Sequence, residues 1–464
     1  MEQYPNHKIN YSVAFIKMAL LFLLSALSFG LLAALQYIIP GFGRDTFSFE
    51  KLRPLHVSSA VFWIILGAMG SVISFFRQHK RRKLKNQFWI KVQFYIFTLS
   101  FGGALVSYCF GIFSGREYWE FHPLLAIPIA IGWIVFIVNF LSNLGTLKNQ
   151  PVYIWMWFTG ILFFLFTYVE SNLWLIPAIN DNLVKDMTIQ WKSYGSMVGS
   201  WNLLIYGSSI FLMDAISGSK KYSYSNLVFA LYFLSLFNLM FNWGHHIYTL
   251  PTSLYIKDIG YLVSMTELFL FGRIIYLWRS SVTTAQKYFH IRPYRFLLAA
   301  DVWVFLTLGL AVCMSIPALN IYMHGTHVIV AHTMGATIGI NSFLLIAFAC
   351  YILGKKKNGN FFKSKWIDIG FWVINISLVF FWISLIVAGF IKSHWMFHQP
   401  DVPFGVMMMS LKPWFISFYI SGCGLFIGFC MIIFPLLFNH LLRDENNSFF
   451  KRKENHNLKE MVLD

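Results

Sequence analysis

HGTHVIVAHTMGATIGINSFLLIAFACYIL, residues 324–353, sets the class of this chain. The stretch holds no Asp, Glu, Lys or Arg. It exceeds the roughly 20 helical residues that cross the hydrocarbon of a bilayer. His332 and Met334 stand inside it, about two turns from its start. Similar apolar runs recur on both sides, and a helix closes its own backbone hydrogen bonds, as lipid requires. Reading outward from this run, the sequence predicts an all-α polytopic membrane protein of twelve transmembrane helices. They fall at about 12–39, 53–76, 88–113, 121–144, 151–177, 193–217, 223–249, 256–279, 294–320, 325–353, 366–391 and 410–440.

Composition agrees. Of 464 residues, 57% are hydrophobic and 12% charged, against roughly 25% charged in a soluble domain. There is too little polar side chain to coat a water-exposed surface. The five cysteines (Cys109, Cys313, Cys350, Cys423 and Cys430) lie in apolar runs and form no CxxC or CxxCH. That excludes a covalently attached c-type heme, a thiolate zinc site and a disulfide framework. The N-terminus lacks a cleavable signal pattern, so the first apolar run reads as a retained helix. No soluble insert or repeat interrupts the pattern. Residues 1–442 read as one transmembrane domain, and 443–464 as a charged cytoplasmic C-terminal tail.

The net charge of +17 resides in alternate loops. One set holds Arg77, Lys80, Arg81, Arg82, Lys83 and Lys85, then Lys220 and Lys221, then Lys355, Lys356, Lys357, Lys363 and Lys365. The other set is balanced: Arg44 and Lys51 against Asp45 and Glu50, Lys185 and Lys192 against Asp181 and Asp186. The positive-inside rule therefore puts both termini in the cytoplasm of a bacterial inner membrane. The basic charge is a topology signal with a minor contribution from membrane lipid; no nucleic acid partner is implied.

Ionisable residues within the membrane are costly and mark function by default. Taken singly, each has an ordinary reading as well. His56 is either an interfacial histidine bonded to a carbonyl or a metal ligand. His245 and His246 are adjacent, about 100° apart on a helix, so both reach one metal only if the helix is locally distorted or the metal sits between them. His332 and Met334 point to opposite faces, which lets one helix serve two cofactors; otherwise they are a core histidine and a gap-filling methionine. Glu267 is either a protonated buried carboxyl or a proton relay. Counted at about 1.5 Å per residue, the four histidines fall in the outer third of the bilayer. Four imidazoles at one height suggest a layer of heme or transition-metal cofactors.

At this point the chain resembles subunit I of the heme–copper oxidase superfamily along nearly its whole length. It is most similar to the bacterial nitric oxide reductase catalytic subunits and the cytochrome cbb-type oxidases. The matching stretches are LRPLHVSSAVFW around His56, GREYWEFHP around Glu117, WGHH ending at His246, SMTELF around Glu267 and HGTHVIVAHTMG around His332. The resemblance implies two hemes b. His56 is one axial ligand of the low-spin heme, and His332 is the proximal ligand of the high-spin heme. His245 and His246 bind a non-heme metal, iron or copper. Glu267 is a catalytic glutamate near that site, and Glu117 a calcium ligand with Glu120 beside it. An outer-side electron donor, a cytochrome c-type subunit or another protein, is implied as partner.

Two departures from the family pattern shape the expectation. The second low-spin ligand, a histidine in the family, is here Met334, which implies His56/Met334 ligation and a raised heme potential. The third non-heme ligand is missing, because no histidine lies between His122 and His245. The aligned stretch SYGSMVGSWN offers Tyr194 or Ser196, and the reductase glutamates fall on Val198 and Asn202. The metal is thus held by two histidines and completed by Tyr194, Glu267 or water, or the site is empty. The oxidases' cross-linked tyrosine corresponds to Leu239, and long polar proton channels are absent; Lys392, Asp214 and Asp301 read as residues at helix ends. The leading expectation is reduction of nitric oxide to nitrous oxide. An unusual oxygen reductase, a non-catalytic heme protein for electron transfer or gas sensing, and a metal-free transporter are the alternatives.

Overall fold

The computed structural model describes residues 10–79, 85, 87–264, 267–355 and 364–460, with side chains described for all of these except 79, 264, 267–272 and 439–460. In chain order the helices are α1 (Tyr11–Ile38), α2 (Phe49–His79), α3 (Gln87–Cys109), α4 (Ala126–Leu144), α5 (Val152–Glu170), α6 (Pro177–Asn180), α7 (Leu183–Ser217), α8 (Asn226–Phe241) and α9 (Leu254–Ser264). They continue with α10 (Glu267–Ser281), α11 (Thr284–Phe289), α12 (Ile291–Ser315), α13 (Pro317–Met323), α14 (His327–Met334), α15 (Phe343–Gly354), α16 (Lys365–His398) and α17 (Phe404–Glu460). Among the described residues there is no strand; Arg116 and Trp119 form one isolated bridge. The charged segment beyond residue 442 continues the backbone of α17 as far as Glu460.

Ten helical segments among the described residues are long and apolar enough to cross a membrane. The two expected spans outside that set are α7 and the α9–α10 pair. The sequence of α7 explains its low hydropathy. Serines 193, 196, 200, 208 and 209 are buried in it, and Gly195 and Gly199 form a GxxxG pair. A methyl added to Gly195 would come within 2.8 Å of Trp243 Cβ, and one on Gly199 within 2.9 Å of Leu239 Cβ. Small residues let α7 approach α8 closely, as between membrane helices generally. The helix faces protein rather than lipid, so it does not need an apolar surface.

The bundle is layered around two of its spans. The most apolar window of α2 is 94% buried and that of the segment His327–Gly354 is 78% buried, against 33–39% for α1, α3, α4, α12 and α16. These inner helices carry His56, His332 and Met334. Trp63 donates to Ser342 Oγ at 2.9 Å and ties the two together. The core is aromatic, with Phe62 of α2 stacked on Phe101 of α3 at 3.8 Å and Trp133 of α4 on Phe164 of α5 at 3.8 Å.

Two interruptions of regular helix among the described residues were not expected from the sequence, and both bear on the site. The tenth expected span is a composite: α14, a π-helix over Gly335–Ser342, then α15. The seventh ends as α-helix at Phe241 and tightens to a 3-10 turn over Asn242–Ile247. Along the eighth, the described residues on either side of 265–266 are helical, as α9 and α10. Asp301, expected at a helix end, lies well inside α12.

Candidate cofactor site

His56 sits about two turns into α2, just after Pro54. Its Nδ1 donates to the Ala26 carbonyl of α1 at 2.7 Å. Gly30, one turn further along α1, makes room for the ring: a Cβ there would lie 2.7 Å from His56 Nδ1. His332 is fixed in the same manner, with Nδ1 facing the Thr307 carbonyl of α12 at 3.3 Å. His245 pairs Nδ1 with Asn242 Oδ1 at 2.9 Å. An imidazole that donates from Nδ1 keeps the Nε2 lone pair free, and metal-ligating histidines are usually held by such a second bond. His246 is held differently, by a parallel stack on Trp191 of α7 at 5.2 Å and 11°.

The 3-10 turn supplies the local distortion that neighbouring histidines require. It brings the His245 and His246 rings to 4.1 Å between centroids. Gly244 and Gly260 allow this turn to lie directly on α9, since a Cβ on Gly260 would be 3.0 Å from the His245 nitrogen. His332 is close enough to both histidines for their charges to interact when protonated. The structure thus pairs His245 with His246 on the turn after α8 and places His332 of α14 in their neighbourhood, without three donors converging among the described residues. His56 stands apart on α2 against α1. Met334 is half-buried against the core, immediately before the π-helix.

All four histidines are partly buried and keep some accessible surface. An imidazole whose Nδ1 faces a backbone carbonyl, as at His56 and His332, is held in the manner of a heme ligand and fits an iron porphyrin. The fit to a second metal is narrower: among the described residues no three His, Cys, Asp or Glu side chains converge as a metal site. The side chain of Glu267 lies outside the described residues; its backbone opens α10.

Tyr194 is on α7, as expected, but its surroundings are those of the loop after α3. Its ring meets Tyr118 edge-on at 5.1 Å, and its charged neighbours are Glu117, Arg116 and Glu120. Its hydroxyl is buried with no hydrogen-bond partner among the described residues. Beside it, Arg53 donates to Glu117 at 2.8 Å and also pairs with Glu120. Arg116 holds Asp186 at the start of α7 at 2.6 Å and lies over Trp174 at 5.1 Å. Two cations against three carboxylates leave this cluster one negative charge. Burial raises the Glu120 carboxyl above its ordinary range, with Arg53 opposing, and pushes the Tyr118 hydroxyl up to about 12. Glu120 Oε2 is buried without a donor. The excess charge and this unused oxygen fit a calcium ion, an oxygen-seeking cation.

Sequence reasoning missed Trp191, Asn242, Thr307 and Gly30. Trp191 lies three residues before Tyr194 and carries no metal donor atom to signal it. Gly30 gave no signal beyond being small in a bulky run.

Residues 10–427 match the family described as Cytochrome C and Quinol oxidase polypeptide I, and the chain belongs to that family. A nitric oxide reductase polypeptide of Stutzerimonas stutzeri is 21% identical over 406 residues, covering 81% of this chain and 82% of that protein. A cytochrome c oxidase subunit 1 homolog of Azorhizobium caulinodans is 23% identical, covering 83% of this chain and 73% of the relative. A cryo-EM structure of a heme-copper terminal oxidase dimer shares the fold, with TM-score 0.71 and 15% identity over 93% of this chain and 84% of that one. The protein is a multi-pass membrane oxidoreductase of the heme–copper oxidase subunit I family.

Proposed function

We propose that this chain is the catalytic subunit of a respiratory nitric oxide reductase. The observation that supports this best is the close pairing of the His245 and His246 rings, 4.1 Å apart, with His332 in their neighbourhood and an acceptor on Nδ1 of His332 and of His245. His332 would hold a high-spin heme b, and His56 with Met334 a low-spin heme b. His245 and His246 would hold the non-heme metal, iron in the leading form and copper otherwise, completed by Tyr194, Glu267 or water. These groups supply electron delivery and gas binding. Two nitric oxides, two electrons and two protons give one nitrous oxide and one water.

The chain's own residues do the rest. Glu267, at the start of α10, relays protons from the outer side. Trp191 fixes the plane of His246, and Asn242 that of His245. The cluster of Arg53, Glu117 and Glu120 anchors the cofactor space at its outer rim, where calcium would bind. A cytochrome c-type subunit or another outer-side donor delivers electrons near Glu117. α7 and the α9–α10 pair would be the eleventh and twelfth spans, with both termini cytoplasmic by the loop charges.

The second reading, an unusual oxygen reductase, is favoured by oxidase subunits among the relatives and disfavoured by Leu239 at the tyrosine position. Purified heme-loaded protein with a chemical reductant separates them. Consumption of nitric oxide with matching nitrous oxide, and little oxygen uptake, is expected. Heme-loaded protein that leaves nitric oxide untouched sinks the proposal. Two hemes with no further iron or copper in elemental analysis would favour the non-catalytic reading.

Gly30 gives a prediction for the low-spin site. Gly30→Val places a branched side chain where a Cβ alone is 2.7 Å from His56 Nδ1. We expect the His56–Ala26 bond to break and the low-spin heme to be lost, halving heme per chain by pyridine hemochrome. Full retention of both hemes would show that His56 is not an axial ligand.

A further inference from the structure

We propose that His394 and His398 form a second metal site, at the C-terminal end of α16, for a divalent first-row transition ion. The two residues are four apart on one helix, so they share a face one turn apart. Their rings are nearly parallel, at 5.0 Å and 13°. Both are exposed. Two histidines at this spacing present a ready pair of imidazole donors, the arrangement used by helical zinc sites. Imidazole suits zinc, copper and nickel, with copper(II) bound most tightly. Among the described residues no third donor side chain converges on them, so water completes the coordination.

The turn that carries the pair is braced, which a helix terminus often is not. Trp395 Nε1 donates to the Val402 carbonyl at 2.7 Å. The Gln399 nitrogen donates to the Trp395 carbonyl and the Val402 nitrogen to the Gln399 carbonyl, each at 3.1 Å. These bonds fold the following loop back on the helix and keep its last turn wound. The pair is also tied to the segment that leads into α14. Lys392 Nζ donates to the Gly325 carbonyl at 2.8 Å, and Phe397 packs on Tyr322 at 4.7 Å. An ion bridging His394 and His398 clamps this turn and stiffens its hold on the segment before His332. The site is separate from the cofactor space and does not depend on the function proposed above.

The test uses full-length, heme-loaded protein stripped of loose metal with a chelator. Copper(II) alone, then zinc(II) alone, is added by equilibrium dialysis. Wild type is expected to bind one equivalent more than His394→Ala/His398→Ala, and each single variant should lose that equivalent. The extra copper should show hyperfine splitting from two nitrogens in its EPR spectrum. His245→Ala/His246→Ala should retain it, which separates this site from the cofactor metal. Zinc should slow amide exchange over residues 392–402 and 324–330 in wild type only. Equal binding by wild type and the double variant, or an extra copper without two-nitrogen coupling, overturns the site. Unchanged exchange on zinc binding overturns the stiffening.

Discussion

Replacing His332 by alanine is expected to abolish nitric oxide consumption, by on the order of a thousandfold or more, the scale on which loss of an essential active-site group is felt. The residue lies in α14, just before the π-helix that follows. Its Nδ1 faces the Thr307 carbonyl, so the ring has one orientation and one free nitrogen. No other side chain of α14 can replace it, because His327 is more than a turn away and carries its ring against Phe415 of α17. If His332 holds the high-spin heme as proposed, its loss removes the axial anchor, and heme content should fall by half. The low-spin heme, which on the same proposal would be held from α2, should remain and should still be reduced by the chemical donor. Full turnover in this variant would sink the assignment of the reacting heme to α14. Loss of both hemes would instead indicate collapse of the bundle, which a spectrum of the remaining heme distinguishes.

Much of this was legible because lipid makes polar side chains expensive. Ten apolar spans and a handful of histidines are hard to hide in a chain that is 12% charged. His56, His245, His246 and His332 stand out for that reason, and the rings of His245 and His246 lie side by side. What stayed illegible has physical causes too. Hydropathy weighs side chains, whereas the π-helix after Met334 and the 3-10 turn at His245 are changes in backbone hydrogen bonding. Neither costs apolar character, so neither marks the sequence. α7 inverts the rule: its serines and glycines suit contact with protein, and composition alone disfavours a span. Trp191 and Gly30 act through shape, one as a flat surface under His246 and the other as a missing side chain beside His56. A search for donor atoms passes over both. Tyr194 aligns with a missing ligand; its described neighbours are the charged residues of the loop after α3.

The largest spectroscopic effect is expected at Met334. Thioether ligation raises the potential of a heme, and axial ligands together span about 0.8 V. Wild-type protein should show a near-infrared charge-transfer band of methionine-ligated ferric heme. Met334→His restores the family's imidazole, so the band should vanish and the low-spin potential should fall by on the order of 0.1 V. Met334→Leu should leave that heme five-coordinate and able to bind carbon monoxide. The fold has room for these substitutions. Met334 is half-buried, whereas the tight contact at this level belongs to its neighbour Gly335, where a Cβ would lie 2.5 Å from Thr307 Oγ1 and 3.3 Å from Trp382 Nε1. His332 and Met334 still share regular helix, because the π-helix begins only at Gly335, so their side chains diverge toward opposite faces. That divergence would let one short helix serve the two hemes proposed for it. If wild type lacks the near-infrared band while both hemes are bound, the sixth ligand comes from elsewhere and Met334 is a packing residue.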